Sequence, residues 1–283
     1  MTCRVSCWIA VVFAAGCGSE PTLFLPEPPV AACVPTASSF DAARSGTITG
    51  RVTWAGELPA APTFLYGVPS GDGNFVTKTV TGPNQPRIDT ATRTLAGAVV
   101  TLRGIDPAAA RPWDHAPVRV EVGDGAIRVR QGVSERVGFV RRGTGVELVS
   151  REPAYHVLRG RGDDFFSLSL PIAEQPRTRS FARPGRVELS SGTGLYWAQA
   201  DLFVSDHPYW AVTDAEGRFT LSLVPAGRVE VVVWHPNWRP ARQDRDPETG
   251  LISRMTYGSP LERTVTAEVA AGGVANVAVT LSD

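Results

Sequence analysis

The sequence predicts an all-β protein. From Ser45 onward, short runs of alternating apolar and polar residues are separated by Gly, Pro, Asn and Asp, and this spacing is typical of strands joined by turns. No stretch keeps a helical period over several turns. The 28 glycines and 23 prolines among 283 residues exceed average usage and favour turns. With 43% hydrophobic residues, the chain has enough apolar side chains for a packed core.

The first residues have the features of an export signal. Arg4 is the only charge before an apolar run that is too short to span a bilayer. The sequence Phe-Ala-Ala-Gly-Cys at 13–17 resembles a bacterial lipoprotein signal, in which the chain is cut before a cysteine that then carries a diacylglycerol. The resemblance implies that residues 1–16 are removed and Cys17 is lipidated, and Gly18 implies the outer membrane, facing the periplasm or the cell surface. An ordinary secretory signal and an uncleaved anchor are the alternatives.

The cysteines exclude a disulfide framework in the mature protein. The chain has Cys3, Cys7, Cys17 and Cys33, and no cysteine follows Cys33. Cleavage removes two of them and lipidation uses a third, so Cys33 alone remains as a free thiol. It lies in a stretch rich in Pro, Ala and Ser, which predicts an extended tether over 17–44 between membrane and folded part.

The first strands of the folded part are predicted by alternation. Residues 46–54 alternate cleanly, and residues 96–103 supply a second strand. Between them, residues 64–93 have little periodicity and many turn residues, so we expect a long surface loop there.

The segment 209–235 contains two tight turns between strands, one at Asp214–Gly217 and one at Pro225–Gly227. It resembles the carboxypeptidase regulatory-like family of transthyretin-like β-sandwiches, whose hallmark is T-D-x-x-G-x-F followed by P-x-G and a valine-rich strand. Residues 46–54 are similar to the opening strand of that family, and residues 264–281 to its closing hairpin. These motifs specify a fold more than a function.

The middle of the chain resembles a second family. Residues 137–156 are similar to the cupredoxin pattern that leads to a copper-binding histidine, and residues 165–171 and 181–189 continue the match. Residues 205–210 fit the junction seen where a cupredoxin is fused to a regulatory-like hairpin. The resemblance implies a β domain over 112–205.

Together these resemblances imply a transthyretin-like β-sandwich with a second, cupredoxin-like Greek-key β-sandwich inserted in it. The predicted layout is a signal peptide at 1–16, a tether at 17–44, a regulatory-like domain at 45–111 and 206–283, and a cupredoxin-like domain without copper ligands at 112–205.

The copper ligands of the cupredoxin pattern are largely missing. Blue-copper sites use two imidazoles, a thiolate and a weak axial thioether. The resemblance puts Gly192 at the position of the cysteine, Leu195 at that of the second histidine and Ala198 at that of the methionine, so only His156 remains. We therefore expect no metal and no cofactor.

Two side chains are candidate ligand-binding residues. One is His156, beside the positions where copper ligands would lie. The other is Trp238, which follows a predicted strand and is expected to be exposed, so that its ring could stack on a sugar. The other aromatic side chains of this region are expected to be core: Trp197, Tyr209, Trp210 and Trp234.

The sequence predicts a non-enzymatic, lipid-anchored envelope protein. The motifs of zinc peptidases, α/β-hydrolases and P-loop nucleotide hydrolases do not occur. The 28 basic and 28 acidic residues balance, which argues against nucleic acid as a partner. The expected partner, besides the membrane reached through the lipid anchor, is a polysaccharide or another envelope protein. The alternatives are a divergent metal-binding or redox cupredoxin that uses His156, and a purely structural spacer.

Overall fold

The computed structural model describes residues 38–60, 62–69, 74–132, 135–245, 247–248 and 252–282. Within them the chain forms 22 strands and one short 3-10 helix, Ala42–Arg44, and it forms no α-helix, so the all-β prediction is confirmed. No helix in this part of the chain is long and apolar enough to cross a membrane. The signal, most of the tether, and with them Cys17 and Cys33, lie outside the described residues.

The strands are numbered in chain order. They are β1 (Ser45–Trp54), β2 (Thr63–Pro69), β3 (Phe75–Thr81), β4 (Arg87–Ile88), β5 (Leu95–Ala96), β6 (Val99–Arg103), β7 (Arg119–Gly123), β8 (Ala126–Arg130), β9 (Val137–Arg141), β10 (Gly145–Ser150), β11 (His156–Gly162), β12 (Phe166–Leu170), β13 (Arg177–Ser180), β14 (Gly185–Ser191), β15 (Gln199–Ser205), β16 (Trp210–Val212), β17 (Arg218–Pro225), β18 (Gly227–His235), β19 (Pro240–Arg245), β20 (Ile252–Tyr257), β21 (Leu261–Val269) and β22 (Val274–Leu281).

The first sandwich packs a three-stranded sheet, in the order β17-β1-β22, against a four-stranded sheet, in the order β16-β6-β18-β21. Alternate residues of β1, among them Ile48 and Val52, are buried between the sheets, as the period of two requires. The expectation that residues 264–281 pair with each other as a closing hairpin is wrong. At Gly272, which has φ +67°, the chain crosses from one sheet to the other, so β21 pairs with β18 while β22 runs parallel to β1.

The second sandwich lies between β6 and β16 in the chain. Its four-stranded sheet has the order β13-β10-β7-β8, and its five-stranded sheet has the order β12-β11-β14-β15-β9. The pairs β7–β10 and β9–β15 are parallel and the other pairs are antiparallel. The core of this sandwich includes Leu148, Leu158, Phe181, Leu189 and Leu202, all buried.

The turn predicted after β16 has the geometry that its sequence requires. Gly217 has φ +71°, and an added Cβ would lie 2.5 Å from the carbonyl oxygen of Val52 in β1. The Asp214 carboxylate accepts hydrogen bonds from the backbone N–H groups of Glu216 and Arg218, at 3.0 and 2.7 Å. This turn therefore starts β17 beside β1.

The prediction of a long loop over 64–93 is wrong for its first half, which contains β2 and β3. Strands β2 and β3 pair as an antiparallel hairpin, in which Phe64 lies opposite Val80. Phe64 is buried, and it packs into the core of the second sandwich, although its strand lies in the chain before that sandwich begins. The β19–β20 hairpin, which follows the second sandwich in the chain, also packs into the core of that sandwich, through Met255. A tertiary contact stabilises a hairpin that local periodicity did not indicate.

Aromatic side chains join the two sandwiches. Phe203 of β15 and Trp234 of β18 meet edge to face with ring centroids 5.1 Å apart, and the Arg186 guanidinium lies 4.9 Å from the Trp234 ring centre. Phe139 of β9 stacks on Trp210 of β16 at 5.5 Å. These contacts hold the two sandwiches in one arrangement and leave a cleft beside them.

Candidate functional site

His156 is the first residue of β11 and is buried. Its Nε2 lies 2.9 Å from Oε1 of Glu152, while Nδ1 is buried without a hydrogen-bond partner. The carboxylate orients the imidazole ring, as second-shell carboxylates orient metal-bound histidines. No metal-binding group of three or more His, Cys, Asp or Glu side chains occurs among the described residues.

The segment 192–198 lies beside the strand of His156. The backbone N–H of Gly192 donates to the carbonyl oxygen of Val157 at 2.7 Å. Ala198 is buried in the second core, and Leu195 packs against that core. We call His156 and residues 192–198 the loop end of the second sandwich. Leu195 and Ala198, which the sequence resemblance aligns with copper ligands, therefore belong to an apolar cluster.

Aromatic rings close the loop end. Phe64 and Tyr196 meet edge to face at 5.8 Å, and Tyr196 meets Trp197 in the same way at 4.9 Å. The Trp197 indole donates to the carbonyl oxygen of Gly125 at 2.8 Å. The β2–β3 hairpin thus supplies a ring to the loop end.

Trp238 is buried, and the expectation that its ring is exposed is wrong: 2% of its surface is accessible. Its ring packs edge to face on Trp54 at 5.4 Å, beneath the guanidinium of Arg239. The chain turns inward here because the Asn237 side chain fixes the loop with two hydrogen bonds. Its Oδ1 accepts from the N–H of Arg239, and its Nδ2 donates to the carbonyl oxygen of Ser259. The other predicted core aromatics, Trp197, Tyr209 and Trp234, are buried as expected, whereas Trp210 is only half-buried.

A cleft of about 1260 Å³ lies between the two sandwiches. One wall comes from β6, β16 and the end of β18, the opposite wall from β9 and the turn before it, and residues 83–89 line a third side. Trp210 lies on the first wall, and its indole N–H is buried without an acceptor. The first sandwich, residues 83–89 of the loop between β1 and β6, and the inserted sandwich together make this site.

Arg136 lies on the second wall, and its hydrogen-bond partners among the described residues are neutral groups. Its Nη2 donates to Oδ1 of Asn84 at 2.7 Å and to the carbonyl oxygen of Gln199 at 3.4 Å, and its Nε is buried without a partner. Burial lowers the pKa of Arg136, although an arginine stays protonated at neutral pH. Asn84 also donates to the carbonyl oxygen of Asn237 at 2.8 Å, so one buried amide links both sandwiches.

Arg87 is an exposed side chain on the same cleft. Its Nη2 lies over Gly97, where an added Cβ would be 3.1 Å away. Gly97 has φ +82° and donates its N–H to the carbonyl oxygen of Thr213, so the backbone under the guanidinium is fixed. Within the described residues, neither Arg87 nor Arg136 has a carboxylate at ion-pair distance.

His235 ends β18 at the cleft and is buried. Its Nδ1 donates to the carbonyl oxygen of Pro236 at 2.8 Å, which leaves Nε2 as the acceptor of a neutral ring. Burial lowers the pKa of His235 to about 4, the positive charges of Arg136 and Arg87 act in the same direction, and the bond to Pro236 opposes them. The ring is neutral at physiological pH.

The carboxylates that line the cleft already have partners. Four pair with an arginine, and the fifth caps its own turn. The pairs are Asp114 with Arg111, Glu135 with Arg130, Asp201 with Arg186, and Asp214 with Arg218. Asp89 accepts hydrogen bonds from the N–H groups of Ala91 and Thr92 and from the Thr92 hydroxyl, which lowers its pKa.

Sequence reasoning missed this site. Arg87, Arg136 and His235 come from three separate segments, so no spacing pattern connects them. The one usable signal was His235 at the end of a valine-rich strand followed by proline, and that pattern is equally typical of a structural histidine. Of the predicted candidates, His156 lies at the loop end and Trp238 in the first core, so the structure does not bring them together.

No known protein family and no curated protein matches the chain. The chain is similar to solved cupredoxin structures. A copper-containing nitrite reductase from Thermus scotoductus SA-01 is 17% identical over 36% of this chain and 24% of its own, with a TM-score of 0.27. The chain thus spans about a quarter of that enzyme.

Two further structures are small cupredoxins. A purple cupredoxin from Nitrosopumilus maritimus is 14% identical over 32% of this chain and 99% of its own, with a TM-score of 0.25. A reduced amicyanin variant is 13% identical over 34% of this chain and 97% of its own, also with a TM-score of 0.25. At this identity and TM-score, these likenesses carry nothing about activity or ligand.

Proposed function

We propose that this chain is a non-enzymatic binding protein that holds a saccharide in the cleft between its two sandwiches. The observation that carries the proposal is the cleft itself. Its volume of about 1260 Å³ is at or above the range of ordinary ligand pockets, and domain junctions are a preferred place for such pockets. Trp210 and Phe139 give its walls apolar surface, and Arg87, Arg136 and His235 give it polar groups that orient a ligand.

The carboxylates of the walls favour binding over acid–base catalysis by a carboxylate. A general acid or base needs a carboxylate or imidazole that is free to exchange a proton with the substrate. Four of the five cleft carboxylates are held in ion pairs with arginines. The fifth, Asp89, is held by three donors of its own turn.

The envelope location belongs to the same proposal. Lipidation of Cys17 anchors the protein to the outer membrane, and the tether places a regulatory-like domain (45–111 and 206–283) with an inserted cupredoxin-like domain (112–205) at the membrane surface. Polysaccharides of the envelope are then the ligands within reach. A Cys17→Ala variant is expected to lose incorporation of labelled palmitate and to leave the membrane fraction, and a variant that keeps both contradicts the anchor.

The test of the proposed function is a screen of the full chain, in detergent, on an array of neutral and acidic glycans. Trp210→Phe keeps a ring against Phe139 but removes part of the aromatic surface that lines the cleft, so we expect it to weaken glycan binding by about tenfold, as for the loss of an aromatic contact. Trp238→Phe is the matched control, because Trp238 lies in the first core outside the cleft. Binding that is absent from the whole array, or that responds to both variants equally, contradicts the proposal.

A further inference from the structure

Strand β12 is the outermost strand of the five-stranded sheet, and its outer edge pairs with no strand among the described residues. We propose that this edge joins two copies of the chain, with β12 of each copy pairing antiparallel across a two-fold axis. The cleft is lined by β9, at the opposite edge of the same sheet, so the contact does not cover it. The proposal therefore does not depend on what the cleft binds.

The edge of β12 lacks the usual protection. A free edge presents unpaired backbone donors and acceptors, and proteins commonly protect it with charged side chains. The other edge strands of this sandwich follow that rule, because β8, β9 and β13 each contain at least one arginine. Strand β12 has the sequence Phe-Ser-Leu-Ser-Leu and contains no charged residue. Its edge is therefore suited to pair with another strand.

Large apolar side chains are exposed at both ends of β12. Phe165, just before the strand, is 72% exposed, and Ile172, two residues after it, is 57% exposed. Tyr155 is 60% exposed, and its hydroxyl oxygen lies 2.9 Å from Oγ of Ser169. Single exposed apolar side chains are ordinary, but a group of them around one uncharged edge indicates a contact surface.

The strand is complementary to itself, which argues for a second copy as the partner. An antiparallel pairing centred on Leu168 places Ser167 opposite Ser169 of the partner subunit, and Phe166 opposite Leu170 of the partner subunit. Both serines are exposed, whereas Phe166 and Leu170 are buried. The two strands therefore match polar side chains on one face and apolar side chains on the other.

The same pairing covers the exposed rings. Phe165 lies opposite Pro171 of the partner subunit in this register. Within one copy, β11 pairs His156 with Leu170, so Tyr155 is the neighbour of Pro171. Phe165 of each copy thus approaches Tyr155 of the partner subunit, once at each end of the paired strands. Aromatic pairs of this kind add to the free energy of association.

Charge and area both fit a weak dimer. Asp164, which precedes Phe165, lies 3.4 Å from Arg179 of its own chain, so this carboxylate is already paired. The exposed parts of Phe165 and Tyr155, from side chains of about 200 Å² each, amount to roughly 250 Å² per copy. With Ile172 and the strand edges added, two copies approach the roughly 1,000 Å² that a specific interface needs, so we expect micromolar affinity.

The first test is sedimentation velocity of the full chain over a wide range of concentration. Cys17→Ala and Cys33→Ser are included, so that neither an acyl chain nor a tether disulfide can join two copies. We expect a reversible monomer–dimer equilibrium. Ser169→Lys puts a charge on the edge and should raise the dissociation constant at least about tenfold, and Phe165→Ser should raise it by a similar factor. Thr178→Lys, at an exposed position of the edge strand β13, is the matched control and should leave it unchanged.

The second test is the register of the pairing. In the same background, Leu168→Cys places the thiols of two copies opposite each other at a separation that a disulfide spans, so mild oxidation should give a covalent dimer. Thr178→Cys should give none. A chain that stays monomeric overturns the proposal, as does a dimer that Ser169→Lys does not weaken more than Thr178→Lys. Equal crosslinking through the two cysteines also overturns it. Circular dichroism of each variant verifies that it is folded.

Discussion

The loop end and the cleft are two concave regions of one molecule, and their side chains are arranged in opposite ways. At the loop end, Phe64, Leu195 and Ala198 pack in or against the second core, and His156 contacts a carboxylate of its own chain through Nε2 while its Nδ1 is buried without a partner. At the cleft, Arg136 and Trp210 each keep a buried donor without an acceptor, and Arg87 has no carboxylate at ion-pair distance among the described residues.

This difference indicates which of the two regions is suited to bind a ligand. An apolar cluster gains stability from closure, whereas partnerless donors lower stability unless something else binds them. The loop end is therefore filled by apolar side chains, whereas the junction of the two sandwiches presents both apolar and polar side chains to a ligand. The predictions below test this contrast, beginning with the largest expected effect.

The closed state of the loop end depends on Phe64. Phe64→Ala is expected to lower the free energy of unfolding by about 3–5 kcal/mol, the usual range for a buried phenylalanine, because the second core loses a ring that no neighbour can replace. Urea denaturation measures the change. Val76→Ala, on the exposed face of the same hairpin, is the control and should cost less than about 0.5 kcal/mol. Equal losses for both variants would show that the hairpin does not close this end.

The cleft is expected to make stability depend on pH. The pKa of His235 falls from 6.5 to about 4 on folding, so the unfolded chain binds more protons between these values and stability decreases as the pH falls through that window. The loss approaches about 3 kcal/mol at pH 4. The pKa values of His115 and His207 are also lowered by burial and add to the same slope.

The measurement is the free energy of unfolding at several pH values, for the parent and for His235→Gln. The variant cannot take up this proton, so its curve should be flatter between pH 6.5 and 4. Below pH 4 both curves should fall, because Asp89 and Asp214 have lowered pKa values and protonate there. Parallel curves across the whole range would contradict the assignment to His235.

Asn84 links the two walls of the cleft, and its loss is expected to have a smaller effect. Asn84→Ala leaves Nη2 of Arg136 with the Gln199 carbonyl alone and removes the donor to the Asn237 carbonyl, at a cost of about 1–3 kcal/mol. Asn276→Ala, an exposed asparagine bonded to Thr49, is the control and should change stability by less than about 0.5 kcal/mol. A similar result for both would mean that the amide does not join the sandwiches.

Local patterns predicted the strands and turns that local interactions determine. Alternation in residues 46–54 predicts a strand with one buried face, and β1 has that face. The Asp214–Gly217 turn follows from the positive φ of a glycine and from a carboxylate that caps its own backbone. Both are decided within a few residues, so a single sequence is sufficient.

What the sequence did not predict depends on residues that are distant in the chain. Phe64 forms a strand because the second core accepts its ring, and Trp238 turns inward because Asn237 bonds the loop at Ser259. Arg136 and His235 line one cleft only after the inserted sandwich has docked through Phe203 and Trp234. The partners of these contacts have no fixed spacing, so periodicity and motifs carry no signal for them.

The smallest expected effect is on copper binding at the loop end. One imidazole bonded to Glu152, beside Leu195 and Ala198, lacks the thiolate and second imidazole that a copper site needs, so we expect Cu(II) titration of the full chain, followed by absorption and calorimetry, to give no stoichiometric binding. His156→Ala should therefore give the same titration curve as the parent. Cys33→Ser is the control for the tether thiol, which can bind copper without any folded site. One copper per chain that survives Cys33→Ser and is lost in His156→Ala would reverse the contrast between the two regions, because the loop end would then open to a ligand.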